Sequence, residues 1–95
     1  MENEQAYKEI INTIIESKIS AFGRVAIDKA KVINGLIIDD KGNAVSFSND
    51  PKTVIHNLLI KYEEICGRVS TISARTVTIQ LRNKYPNLEL PKELM

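Results

Sequence analysis

From residue 4 to residue 20 the apolar positions Tyr7, Ile10, Ile11, Ile14, Ile15 and Ile19 recur at spacings of three and four, the period of one helix face. Glu9, Glu16 and Lys18 fall on other faces, so the spacing predicts an amphipathic helix with a solvated back. Gly23 then ends that helix or admits a neighbouring backbone, and the pattern resumes through Val25, Ala26, Ala30 and Ile33 as a second helix over about 22 to 33. Asn34 and Gly35 close it, because both residues tolerate the left-handed conformation that terminates helices.

The period then shortens. "GLIIDDKGNAVSFS" sets two β-prone runs, Leu36 to Ile38 and Ala44 to Phe47, around the turn formers Asp39, Asp40, Gly42 and Asn43, which predicts a β-hairpin over 35 to 48. The acidic residues of this turn lack the alternating spacing and the bidentate glutamate of a calcium loop, so they read as turn chemistry. Asp50 and Pro51 mark a helix start, and Val54, Ile55, Leu58, Leu59, Tyr62 and Ile65 carry a third helix to Gly67.

Beyond Gly67 two periods compete. Val69, Ile72, Thr76 and Ile79 fit a helix, whereas Val77, Ile79 and Leu81 alternate with polar residues as in a half-buried strand. Pro86 and Pro91 end regular structure, so residues 85–95, with Leu88, Leu90 and Leu94, read as an extended strap lying on the body.

An internal similarity bears on that choice. "FGRVAIDKAKVI" at 22 to 33 and "CGRVSTISARTV" at 66 to 77 share a skeleton at an offset of 44, and the same offset pairs Ile11 with Ile55, Ile14 with Leu58 and Ile15 with Leu59. Two helix-turn-helix units, about 8–33 and 52–77, joined by the hairpin, account for this. Because the first copy is the better helix former, the second inherits a helical reading. The expected fold is therefore mainly α, a single domain over 1–95 with four helices and a central β-hairpin; the alternative is α+β with residues 76–82 as a third strand. Ala26 and Ala30 in one copy, Ser70 and Ala74 in the other, begun by Gly23 and Gly67, form small-residue faces suited to close helix crossing, either with each other or with a partner chain.

Charge narrows the function classes. Thirteen basic residues against twelve acidic ones leave a net charge of +1, too little to pull the whole chain onto nucleic acid or a membrane surface. Locally, Arg24 and Lys31 in the first unit and Arg68, Arg75, Arg82 and Lys84 in the second make basic stripes, and residues 68–84 contain no acid. Such a stripe suits a phosphate backbone or an acidic partner, or pairs internally with Glu16, Glu63 or Glu64. The single cysteine, Cys66, permits no internal disulfide and occupies the place of Phe22, which predicts a packed apolar site; His56, the only histidine, lies beside the apolar stripe with no ligand or nucleophile at working spacing. The acidic start and the absence of a long apolar run predict a cytoplasmic protein with no membrane segment. The chain thus reads as a non-catalytic protein-interaction module without cofactor or metal, self-associating as a homodimer; a nucleic-acid-binding regulator is the alternative.

Overall fold

The two long apolar stripes become the two long helices of the molecule. The computed structural model describes residues 2–47 and 50–94. In chain order it contains α1 (Glu2–Phe22), α2 (Arg24–Lys31), strands β1 (Leu36–Ile38) and β2 (Ala44–Phe47), α3 (Pro51–Cys66), α4 (Arg68–Val77), α5 (Ile79–Lys84) and a 3-10 turn, Lys92–Leu94. The fold is mainly α with one two-stranded antiparallel ribbon. Ser48 of the expected hairpin and Met95 of the expected strap lie outside the described residues.

The glycines decide where α1 and α3 end. Gly23 takes φ 66° and ψ −142°, and Gly67 takes φ 69° and ψ −156°, a region that strains any residue bearing a Cβ. Gly23 N donates to Ile19 O and Gly67 N to Glu63 O, both at 2.7 Å, while the two glycine carbonyls accept from Ala26 N and Ser70 N as the next helices open. A Cβ built on either glycine meets nothing within 4 Å. The expectation that these glycines begin close-packed faces is therefore corrected: they supply a backbone angle. The close approach occurs at Gly42 instead, where a Cβ would come within 2.6 Å of Ile19 Cδ1.

The hairpin pairs Leu36 with Phe47 and Ile38 with Ala44, with an irregularity between Ile37 and Ile38. Its turn consumes Asp39, whose Oδ1 accepts from Asn43 N and Lys41 N at 2.9 Å each; these bonds hold that carboxyl below its usual range. Asn12 Oδ1, on α1, accepts from Ala44 N at 2.7 Å and pins the ribbon to the helix. Asp50 caps α3 by accepting from Lys52 N, with Pro51 in the first turn.

The chain after α4 departs from both expectations for it. Residues 76–82 are helical apart from a break at Thr78, not a third strand, and that break splits the expected fourth helix into α4 and α5, so that the described residues form five α-helices rather than four. Thr78 is fully buried and its hydroxyl donates to Ala74 O at 2.8 Å, alongside its own N–H, which loosens the ladder at that point. Helical bonding resumes with Arg82 N to Thr78 O at 2.9 Å. Local bonds thus satisfy the backbone, and the alternation of Val77, Ile79 and Leu81 gathers no buried face. The tail is extended only in part, since it ends in the 3-10 turn, but it does cover the body: Leu90 and Leu94 are buried, and Tyr7 Oη donates to Glu89 O at 2.8 Å. Burial of that phenol raises its pKa.

The core is built from Ile10, Ile11, Ile14 and Ile15 of α1 and Val54, Ile55, Leu58, Leu59 and Tyr62 of α3. The units are alike in three dimensions at the sequence offset of 44. From the pair 10/54 to the pair 32/76, aligned residues are buried or exposed alike except at 13/57 and 21/65. α2 packs on α1, α3 and the ribbon, and α4 packs on α3, α1, α5 and the 3-10 turn. The small faces of α2 and α4 therefore fit chiefly beneath the long helices rather than against one another. Two hydrogen bonds follow the same relation. Lys18 Nζ donates to Ser70 O at 2.9 Å, and the equivalent Tyr62 Oη donates to the equivalent Ala26 O at 2.8 Å, so the long helix of each unit clasps the short helix of the other.

Candidate interaction face

α4 turns its amphipathicity inside out. The side it buries is Ser70, Thr71, Ala74 and, at its end, Thr78; the side it shows to solvent carries Val69, Ile72 and Thr76, with Ile79 exposed on α5 beyond. The expected apolar stripe of this helix is thus correct as a stripe and wrong in direction. Small and hydroxyl-bearing side chains fit where α3 and α1 crowd the helix, and the aliphatic ones are left outside, Val69 at 68% and Ile72 at 60% exposed. Val25 on α2, expected to face inward with Ala26 and Ala30, likewise points out. Ala26, Ala30, Ser70 and Ala74 are all buried within the fold, and Gly23 and Gly67 are exposed.

The aligned unit says which of these exposures the fold requires. Ile72 corresponds to Asp28 and Ile60, 43% exposed on α3, corresponds to Glu16; all four side chains are exposed. The same backbone positions tolerate acids in one unit and carry isoleucine in the other. The first unit also exposes Val25 and Val32, but Asp28 stands between them.

The basic residues do not form one continuous stripe. Lys31 Nζ pairs with Asp40 at 2.9 Å. Arg82 folds back, its Nη2 donating to Arg75 O at 2.7 Å, and Lys84 lies 3.9 Å from Glu9 and over the Tyr85 ring. Arg75 Nε donates to the main-chain Glu93 O at 3.2 Å, and Arg24 and Arg68 are exposed. The internal pairing expected with Glu16, Glu63 or Glu64 is not seen among the described residues: Glu63 accepts from Thr71 Oγ1 at 2.6 Å, and Glu64 pairs with Lys61 at 3.5 Å.

Two other clusters escaped the sequence reading. Lys18, expected on a solvated face, is 3% exposed; burial lowers the pKa of its amine, and Ser70 Oγ nearby is buried with no partner. The signal was available, since Lys18 aligns with the stripe residue Tyr62. His56 Nδ1 lies 3.0 Å from Glu93 Oε2 beside a cleft of about 440 Å³ that Lys52 and Lys92 also line. Burial tends to raise the Glu93 carboxyl, but its own backbone N–H and His56 outweigh that and hold it low. The neighbouring Thr53 Oγ1 donates to Asp50 Oδ2 at 3.2 Å. Cys66 is half-buried rather than packed away, its thiol directed at Tyr62 O at 3.9 Å. Among the described residues no group of three His, Cys, Asp or Glu side chains could hold a metal, and no helix is long and apolar enough to cross a membrane. Comparisons with protein-family models, with curated proteins and with solved structures find no match to this chain.

Proposed function

We propose that this chain is a non-catalytic protein-interaction module whose docking surface is the outward side of α4, continued by Ile79 on α5. The observation that carries the reading is the exposed Ile72 at a position where the aligned unit has Asp28. Exposed aliphatics scattered singly need no explanation, but Ile72 joins Val69 and Ile79 in a row at a position where the same fold accepts an acid, which points to a surface kept apolar for contact. A nucleic-acid role is less supported, because Arg82 and Lys84 are engaged within the fold and aliphatic side chains separate Arg68 from Arg75.

Site-specific photo-crosslinking tests the reading. A benzophenone side chain at position 72, introduced in the cells that make the protein, is expected to give a covalent protein adduct that the same group at position 28 does not. Equal labelling from both positions, or none from either, overturns the proposal, and an adduct of twice the chain mass identifies a second copy as the occupant.

A further inference from the structure

The two units also differ in what balances their cations. In the first, Asp40 on the hairpin turn accepts from Lys31 Nζ at 2.9 Å, so a carboxylate of the fold itself balances the cation at the end of the α2 row. The aligned residues of the second unit are Arg68 and Arg75. Among the described residues no carboxylate pairs with either one: Arg75 holds only the main-chain oxygen of Glu93, and Arg68 projects into solvent. Between them on the exposed surface stand Val69 and Ile72.

We infer that the partner of α4 presents an acidic amphipathic helix, with carboxylates meeting Arg68 and Arg75 as Asp40 meets Lys31, and with apolar side chains resting on Val69 and Ile72. The inference rests on the reading of α4 as a docking face. Seven residues separate the two arginines, a rise of about 10 Å, which two turns of a partner helix match. Val69, Ile72, Thr76 and Ile79, at spacings of three and four, form a ridge that can receive that of such a helix. A nucleic acid would neutralise the arginines but would set its phosphates against Val69 and Ile72, which offer them nothing. A symmetric α4-to-α4 pairing of two copies would bring arginine against arginine in a segment, residues 68–84, that contains no acid.

Fluorescence polarisation with the full chain and three labelled probes tests this. The probes are a short helical peptide with leucines at helical spacing flanked by glutamates, the same peptide with lysines for glutamates, and a short DNA duplex. The acidic peptide is expected to bind roughly tenfold or more tightly than the basic one, and more weakly as salt rises. Arg68→Glu with Arg75→Glu should reverse the preference, and Ile72→Asp should abolish binding of both peptides. Equal binding of the two peptides, lost in Ile72→Asp, removes the acidic partner while leaving the docking face. Failure of both peptides to bind, alongside an adduct specific to position 72, does the same. Tightest binding by the duplex overturns the inference in favour of nucleic acid.

Discussion

The first unit meets solvent through Glu16 and Asp28, and the second meets it through Ile60 and Ile72 at the same places on the same backbone. Inside, the units largely agree: in the long helices isoleucine aligns with isoleucine, leucine or valine, in the short ones alanine aligns with alanine or serine and Ile27 with Thr71, and a polar atom from each long helix reaches a carbonyl of the other unit. A fold built of two similar parts thus carries its own control. Where the parts agree, packing is the constraint; where an acid in one stands opposite an isoleucine in the other, the fold is indifferent and the choice is free for recognition.

The comparison can be broken most severely in the core. Ile14→Ala and Leu58→Ala, both at fully buried aligned positions, should each cost about 2 to 5 kcal/mol in urea unfolding. Values differing by more than that span would show that the units do not share the load. Next come the kinks, where Gly23→Ala and Gly67→Ala should each lose about 1 to 3 kcal/mol although open space surrounds both, since the cost is the backbone angle. Retained thermal stability in either variant would contradict that account.

The clasping pair sharpens the comparison, because its two halves should respond in opposite directions. Tyr62→Phe removes a buried hydrogen bond and should cost about 1 kcal/mol, whereas Lys18→Met removes a buried ammonium that lacks a carboxylate and should stabilise. The sign with pH follows from the lowered pKa of Lys18. The unfolded chain holds this proton more tightly than the folded one, so the penalty is present in full below the folded pKa and fades as pH rises through it towards 10.5, the ordinary lysine value. The advantage of Lys18→Met should therefore shrink in alkaline buffer, and a gap independent of pH would assign it to packing. Smallest of all, Ile72→Asp and Asp28→Ile should each change stability by less than about 0.5 kcal/mol in thermal melts, because the aligned unit already carries the substituted residue.

Much of this architecture is legible in the sequence. The isoleucines of α1 and the aliphatic stripe of α3 sit at helical spacing because those helices bury a broad face, and all of these but the half-buried Ile19 and Ile65 are inside. Asp50 and Pro51 start α3, and Gly42 with Asn43 turns the ribbon, because their chemistry is local. For α4 the sequence offers two faces, the row of Val69, Ile72 and Thr76 and the small residues Ser70 and Ala74, and apolar spacing does not say which of them lies against the body. Lys18 differs: its charge suggests solvent, but its alignment with the stripe residue Tyr62 marks it as inward, and only the bond to Ser70 O is a fact of packing. The break at Thr78 depends on one hydroxyl competing for a carbonyl, a contest that propensities do not settle.

Local and periodic physics set the helices, the ribbon and the glycine kinks from the sequence alone, because each depends on residues within a few positions of one another. Only the tertiary structure decided which side of each short helix is the outside. Two long helices leave narrow space beneath them, and there a serine or an alanine fits better than the isoleucine that hydrophobicity alone would have buried.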